Sequence, residues 1–99
     1  MSYKIRFYSR AEKDYLDAFD WYQSCLEGLG ERFEESVEKR IKDILNTPLI
    51  YPNKSFDCRE CKIGDFPYLI VYKVDVRLEL VTIVSIYHTS RHPKRKYRK

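Results

Sequence analysis

The side chains with the widest chemical range in this sequence are three cysteines, Cys25, Cys58 and Cys61. Cys58 and Cys61 form a C-x-x-C motif, which occurs in zinc sites and in thiol–disulfide active sites. A zinc site needs about four ligands, yet the sequence has no second pair, and a redox motif places its first cysteine at a helix N-terminus. This motif falls in a predicted strand, where residues three apart face opposite sides of a sheet. We therefore expect no metal, no cofactor and, with an odd number of cysteines, no disulfide framework.

A second chemical feature is the basic segment from His88 to Lys99. Residues 1–53 carry eight Lys and Arg against ten Asp and Glu, whereas residues 54–99 carry eleven against five. Six of these cations lie in the last nine residues, and no acid lies among them: Arg91, Lys94, Arg95, Lys96, Arg98 and Lys99. Such a tail favours an anionic partner, either nucleic acid or an acidic protein segment. The alternative is a solvated terminus that aids solubility.

Length and composition limit the class of protein. We expect 99 residues to form a single domain, 1–99, with the basic tail at 91–99. A content of 43% hydrophobic and 34% charged residues is typical of a globular chain. The most apolar stretch, Leu78 to Tyr87, is too short to span a bilayer as a helix, and no secretory signal is recognised. The expected location is the cytoplasm, with no membrane partner.

The first half of the chain predicts a strand followed by two helices. Residues 3–8 alternate between apolar and polar side chains, and Ser9 with Glu12 forms a capping-box pattern for a helix. Gly28 and Gly30 are expected to end this helix, and a second is expected from Glu31 to Asn46 before Pro48. Each helix has one apolar stripe; the first comprises Ala11, Tyr15, Ala18, Phe19, Tyr22 and Leu26, and the second Phe33, Val37, Ile41 and Ile44.

Three strands are predicted in the second half: Phe56–Ile63, Tyr68–Val74 and Leu78–Tyr87. The short connection at Asp75-Val76-Arg77 implies an antiparallel hairpin. The order β-α-α-β-β-β predicts a two-layer α+β fold, in which a helical hairpin packs on a mainly antiparallel four-stranded sheet.

Two apolar side chains lie outside the stripe of the first helix. Trp21 is almost opposite the stripe on a helical wheel, and Leu16 also lies off it. Exposed aromatic residues often anchor partner chains. We expect Trp21 and Leu16 to bind a partner, the alternative for Trp21 being cover by the tail or another loop.

Five segments, in this order and spacing, resemble the ParE/RelE toxin superfamily of type II toxin–antitoxin systems, which includes plasmid stabilisation proteins. They span nearly the whole chain: Arg10–Asp14, Trp21–Tyr22, the Pro48 exit from the second helix, Phe66–Val74 and His88–Pro93. The resemblance implies a toxin held inactive by a cognate antitoxin in a hetero-oligomer. RelE-like members cut mRNA on the ribosome, whereas the characterised ParE-like members lack that nuclease site and poison DNA gyrase.

The nuclease members supply catalysis largely with Lys and Arg on the sheet and a His, Tyr or Arg near the C-terminus. At the position of one such arginine this sequence has Leu69, which cannot stabilise phosphate charge. Lys62 matches one basic residue of the preceding strand, and Glu60 replaces another. The remaining candidates for catalysis are His88, Arg91 and Arg59.

Each candidate also has a structural interpretation. His88 alternates with Leu78, Leu80, Val84 and Ile86, which predicts a position at the edge of the core. Lys62 and Arg59 are expected on opposite sheet faces as solvated charges. The tail residues Arg91, Lys94 and Arg95 are expected to dock an acidic antitoxin or a large target.

Leu69 favours a ParE-like toxin that binds DNA gyrase and is not an enzyme. The alternatives are a RelE-like ribosome-dependent mRNA interferase, an endoribonuclease whose partners are the ribosome and mRNA, and a degenerate binding module without toxicity.

Overall fold

The computed structural model describes residues 3–90. Its elements are β1 (Lys4–Phe7), α1 (Ser9–Cys25), α2 (Leu29–Asn46), β2 (Asn53–Ser55), β3 (Cys58–Lys62), β4 (Tyr68–Asp75) and β5 (Leu80–His88). One sheet has the order β1-β5-β4-β3-β2, with β1 parallel to β5 and the other pairs antiparallel. Both helices pack on one face of it. This arrangement confirms the predicted two-layer α+β fold, with five strands instead of four.

The fifth strand, β2, lies at residues 53–55, ahead of the strand predicted at 56–63 and in a segment for which no strand was predicted. β2 and β3 are joined by the two-residue turn of Phe56 and Asp57, and Ser55 pairs with Cys58 across it. Two-residue hairpin turns usually carry Asn-Gly or Asp-Gly. The sequence Phe-Asp gave no such signal, so the prediction missed β2.

The helix boundaries differ from the prediction at the turns. Tyr8 is the N-cap of α1 and no side chain caps this terminus, so the capping box predicted at Ser9 is wrong: the serine already lies inside the helix. Gly28 is left-handed, with φ of 89°, and precedes α2. Gly30, expected in the turn, is the second residue of α2. No helix within residues 3–90 is long and apolar enough to cross a membrane.

The core lies between the helices and the sheet. Phe33, Val37 and Ile44 of α2 are fully buried, as are Ala11 and Ala18 of α1. Removing such side chains from water stabilises the fold by roughly 1.5–3 kcal/mol for each large one. Leu26, predicted in the stripe of α1, is exposed instead, because the helix ends at Cys25.

A bulge in β5 decides which side chains face the helices. Val71 pairs with Ser85 and Tyr72 with Ile83, so Val84 is an extra residue. Strict alternation fails there, and Ile86 faces the helices while Val84 does not. The prediction that Val84 and Leu78 share the core face is wrong; Leu78 lies in the β4–β5 turn and is exposed.

The sheet therefore has two distinct faces. The helix face packs against α1 and α2 and includes Cys61, Ile70, Tyr72, Ile83 and Ile86. The open face is the opposite one. It holds a smaller cluster of Cys58, Val71, Val84 and Tyr87, with Tyr8 and Leu69 packed against it.

Candidate functional site

A groove of about 410 Å³ lies between α1 and the end of β5, and we call it the α1–β5 groove. Its lining residues are Asp14, Asp17, Ala18, Trp21, Tyr68, Ile86, His88 and Ser90. Trp21 is 62% exposed, which confirms that it points away from the core. The groove thus brings together Trp21, predicted to bind a partner, and His88, a candidate for catalysis.

His88 is held at the rim of the groove by its neighbours. Its ring makes an edge contact with Tyr68, with 4.9 Å between ring centroids. Its Nδ1 accepts a hydrogen bond from the Ser90 backbone N–H at 3.1 Å and lies 2.7 Å from the Ser90 hydroxyl. A nitrogen that accepts from a backbone N–H carries no proton, so the neutral ring has its proton on Nε2. To act as a base through Nδ1, His88 would first have to release Ser90.

The acidic wall of the groove comes from α1. Asp14 Oδ2 accepts a hydrogen bond from the Ile86 backbone N–H at 3.2 Å, and Asp14 Oδ1 lies 3.6 Å from Arg10 Nε. Asp17 is more exposed and pairs with Lys13 at 3.1 Å. Asp14, Asp17 and Trp21 are spaced by three and four residues, and this spacing is the sequence signal for a common helix face that the predicted site residues left out.

The open face holds the other main candidate. Lys62 is exposed and pairs across the sheet with Leu69, which in turn pairs with Tyr87. Leu69 packs against the small cluster on this face. Since Tyr68 pairs with His88 in the next row, Lys62 and His88 project from opposite faces. The sheet therefore separates these two candidates for catalysis.

Arg59 is engaged in holding a loop. Its Nη1 donates hydrogen bonds to the backbone carbonyls of Leu49 at 3.1 Å and Tyr51 at 2.6 Å. Arg59 and Lys62 are three residues apart along β3, so they lie on opposite faces of the sheet, as predicted. Arg59 therefore serves the structure of the loop that precedes β2.

Leu16 lies beside the outer strand β1. It is 52% exposed and lines a shallow concavity of about 320 Å³ with Phe7, Glu12 and Tyr15. Phe7 is also partly exposed. Leu16 and Trp21 thus border two different depressions along α1.

Cys58 and Cys61 lie in separate clusters on the two faces of the sheet, as predicted from their spacing. Burial raises the pKa of both thiols, so they stay protonated at neutral pH. Within residues 3–90, no three His, Cys, Asp or Glu side chains are grouped so as to hold a metal ion. The tail candidates Arg91, Lys94 and Arg95 lie outside the described residues.

A profile of the ParE toxin of type II toxin–antitoxin systems (parDE) matches residues 5–93. The match covers most of the chain, so the chain belongs to the ParE toxin family. It is the toxin of a type II toxin–antitoxin system. Among curated proteins, no sequence matches it.

Solved structures of toxin–antitoxin proteins share the fold. The intact RelBE complex of E. coli matches with a TM-score of 0.67 and 26% identity, over 90% of this chain and 99% of that chain. Free E. coli RelE carrying two arginine-to-alanine substitutions matches with a TM-score of 0.67 and 25% identity, over 91% of this chain and 86% of that chain. A chromosomal ParDE system of P. aeruginosa gives a TM-score of 0.73 at 14% identity, over 89% and 97%, a likeness of fold alone. The resemblance to the ParE/RelE superfamily is thus confirmed.

Proposed function

We propose that this toxin stops growth by binding DNA gyrase and that a cognate antitoxin holds it inactive in a cytoplasmic hetero-oligomer. The separation of Lys62 and His88 on opposite faces of the sheet carries the first part of this proposal. Cleavage of RNA needs a base, an acid and charge-stabilising donors around one phosphate. Neither face of the described residues gathers such a set from the predicted candidates.

Leu69 adds to this argument. It occupies the position next to Lys62 where the nuclease members of the superfamily carry an arginine. Loss of one donor that stabilises the transition state costs about 100-fold or more in rate. Arg59 offers no replacement, because its guanidinium is bound to the loop before β2.

The experiment compares two targets with one protein preparation. The purified toxin is added to gyrase in a supercoiling assay and to a translating extract in which mRNA cleavage is mapped. We expect inhibited supercoiling and intact mRNA, and the Lys62→Ala variant should behave like the wild type in both assays. Normal supercoiling with excess folded toxin would refute gyrase as the target.

Ribosome-dependent mRNA cleavage is the second candidate function. Arg6, Lys62 and Lys73 share the open face with Tyr87. Cationic side chains beside an aromatic ring are the kinds of residue with which proteins bind RNA. In that case mRNA would be cut in the extract, and Lys62→Ala would reduce the cutting.

We further propose that the antitoxin docks on the outer edge of β1. The N–H groups of Lys4 and Tyr8 donate to Glu79 and Ile83 on the inner side, at 2.8 and 3.0 Å. Because alternate residues of a strand point in opposite directions, the N–H groups of Ile5 and Phe7 face outward. An extended segment could pair with them as a sixth strand.

The side chains around this edge define the chemistry of that segment. On the helix face it would meet the concavity of Phe7, Tyr15 and Leu16, which takes apolar side chains. On the open face it would meet Lys4 and Arg6, which are exposed cations. An extended antitoxin segment that alternates apolar and acidic residues fits both sides. A second copy of β1 fits worse, because its own Lys4 and Arg6 would face the same cations.

Two substitutions at one position test the edge. Phe7→Ala removes the ring and keeps the N–H, whereas Phe7→Pro removes both; proline is tolerated on an edge strand where the N–H points outward. The antitoxin is purified from the neighbouring reading frame. We expect Phe7→Pro to bind it at least about tenfold more weakly than Phe7→Ala does, because the proline variant loses one interfacial hydrogen bond and leaves the partner group unpaired. Equal affinity of the two variants would refute pairing at β1.

The basic tail has its own test. Arg91, Lys94 and Arg95 are proposed to contact acidic groups of the antitoxin or the target. Deletion of residues 93–99 should weaken one of these two interactions, and the loss should shrink at high salt. If toxicity and antitoxin affinity both stay unchanged, the tail is a solvated terminus.

A further inference from the structure

Two cations flank a buried hydroxyl on the open face of the sheet. Arg6 of β1 pairs with Thr82 of β5, and Thr82 pairs in turn with Lys73 of β4, so the three residues form one row across three strands. Thr82 is only 6% exposed. Residues paired across neighbouring strands project from the same face of the sheet. Arg6 and Lys73 therefore lie on either side of the Thr82 hydroxyl, with their backbones two strand spacings, about 10 Å, apart.

The side chain of Arg6 reaches across β5. Its Nε donates a hydrogen bond to Thr82 Oγ1 at 3.1 Å, and its guanidinium carbon lies 5.7 Å from the centre of the Tyr8 ring. These two contacts direct the guanidinium inward over the sheet, towards the strand that carries Lys73, and favour one orientation. A guanidinium has five N–H donors, and Thr82 takes one of them, so the others are available to a ligand.

Lys73 is half-buried on the same row. Burial raises the pKa of the Cys58 thiol, and the positive charge of Lys73 opposes that rise, so the ammonium group lies near this buried thiol. Within residues 3–90, no ion pair includes Lys73 or Arg6. Two positive charges that share a row without a paired carboxylate repel each other, and an anion between them would remove this repulsion.

The two cations line a depression of about 500 Å³. Two acids also line it, Asp57 in the β2–β3 turn and Asp75 at the end of β4. The Asp75 carboxylate accepts a hydrogen bond from the Leu78 backbone N–H at 3.0 Å, so it is engaged in the turn before β5. Neither acid forms an ion pair within the described part of the chain. The depression is therefore wide enough for an anionic group and has cations directed into it.

The wider distribution of charge on this face favours a polyanion. Lys4 lies two residues before Arg6 on β1, and Lys62 lies on the same face of β3. Both are exposed. A single carboxylate would meet one or two of these cations, whereas the phosphates of a nucleic acid recur along its backbone and can meet them all.

We infer that a phosphate group in the backbone of a DNA duplex binds between Arg6 and Lys73, above the Thr82 hydroxyl. Single strands are bound largely by the stacking of bases on aromatic rings. Tyr87 is only 5% exposed and Tyr8 is half-buried beside the Arg6 guanidinium, so neither ring of the cluster on this face is open to a base. A duplex presents its phosphates outward, and cations bind them without regard to sequence. The inference goes beyond the proposed function and does not depend on it, because the duplex alone is the ligand.

The test compares two pairs of substitutions in the full chain. Arg6→Gln with Lys73→Gln removes both cations of the site. Arg32→Gln with Lys39→Gln removes one exposed arginine and one exposed lysine from α2, on the other side of the sheet, and is the matched control for net charge and for the basic tail. Binding is measured by fluorescence anisotropy at several salt concentrations. The probes are a labelled DNA duplex of about two helical turns, roughly 20 base pairs, and a single-stranded RNA of equal length.

The site pair should bind the duplex at least about tenfold more weakly than the wild type at low salt, and the control pair less than about threefold more weakly. The slope of log affinity against log salt should fall by about 1 for the site pair, as expected for one lost phosphate contact. Urea unfolding establishes that each variant is folded. Lys73→Gln alone keeps the bond between Arg6 and Thr82 and should show a smaller loss in the same direction.

Three outcomes would overturn the inference, and none of them bears on gyrase, which is absent from the assay. The wild type does not bind the duplex at low salt. The site pair and the control pair lose equal affinity, which would mean that net charge and the tail account for the binding. The wild type binds the single-stranded RNA more tightly than the duplex.

Discussion

The carboxylate of Asp14 on α1 accepts a hydrogen bond from the backbone N–H of Ile86 on β5, at 3.2 Å. This contact ties the first helix to the strand that carries His88, and it crosses the floor of the α1–β5 groove. Ile86 follows the bulge at Val84, where the strand changes which residues face the helices. Asp14 thus supports the register on which the geometry of the groove depends.

Replacement of Asp14 by alanine should destabilise the protein by about 1–3 kcal/mol, because a largely buried N–H would lose its acceptor. Asp17→Ala is the matched control, since Asp17 is an exposed acid one turn away and its pair with Lys13 contributes little. Urea unfolding measures both. Equal effects of the two substitutions would mean that the contact with Ile86 adds no stability.

A second prediction concerns the hydroxyl of Tyr72, which donates to the Pro48 carbonyl at 2.9 Å in a buried site. Burial raises the pKa of this phenol, so the donor keeps its proton at neutral pH. Tyr72→Phe would leave the Pro48 carbonyl unpaired and should cost about 1–3 kcal/mol of unfolding free energy. Tyr3→Phe, at a half-buried tyrosine on the same side of the sheet, should change stability by less than about 0.5 kcal/mol. A loss as small at Tyr72 as at Tyr3 would contradict the prediction.

The sequence revealed the fold wherever periodicity was regular. The stripe of Phe33, Val37, Ile41 and Ile44 is helical in period and is buried as predicted, although Ile41 is only partly covered. The outward direction of Trp21 followed from the same geometry. Long amphipathic elements are predictable because burial of one face determines their orientation.

Local irregularities of the fold could not be predicted from the sequence, for physical reasons. The bulge at Val84 breaks a period of two without any marker residue, so the faces of β5 were assigned wrongly on one side of it. The Phe56–Asp57 turn has neither the glycine nor the asparagine that usually marks a two-residue hairpin turn, so β2 was missed. The α1–β5 groove could be foreseen only in part, because the meeting of Tyr68 and His88 depends on the β4–β5 register.

A third prediction is a pH dependence from Tyr15. Burial, and then the charge of Glu34, raise the pKa of Tyr15 to about 12 from 10.0. The Tyr15 hydroxyl donates to Glu34 Oε2 at 3.3 Å. The folded state therefore holds this proton more tightly than the unfolded state. The stability that it contributes is complete below pH 10 and is lost as pH rises from 10 to about 12.

Unfolding at a series of alkaline pH values measures this effect. Tyr22 and Tyr72 also have raised pKa values, so the quantity to compare is the difference between the wild type and Tyr15→Phe. That difference should change with pH above 10 and stay constant below it. Glu34→Gln should keep the parts of the shift that burial and the charge of Glu38 cause, and lose the part that the charge of Glu34 causes. A difference that is constant across the whole range would show that Tyr15 titrates alike in both states.

The last prediction concerns Trp21 as an anchor for the antitoxin in the α1–β5 groove. Trp21 and Leu26 are both on or beside the end of α1, and both are 62% exposed, so each presents the same fraction of its surface, in a different place. Only Trp21 lines the groove, with the carboxylate of Asp17 and the ring of His88 nearby. Aromatic side chains in depressions dominate interface energies.

Trp21→Ala should therefore weaken antitoxin binding by at least about tenfold, and Leu26→Ala should change it by less than about threefold. Neither substitution should lower stability by more than about 0.5 kcal/mol, because both side chains are exposed. Titration calorimetry with the purified antitoxin measures the affinities, and urea unfolding measures the stabilities. Equal losses of affinity would mean that general apolar contact along α1 binds the antitoxin and the groove has no special part. Unchanged affinity for Trp21→Ala, with a weakened Phe7→Pro variant, would restrict the antitoxin to the edge of β1.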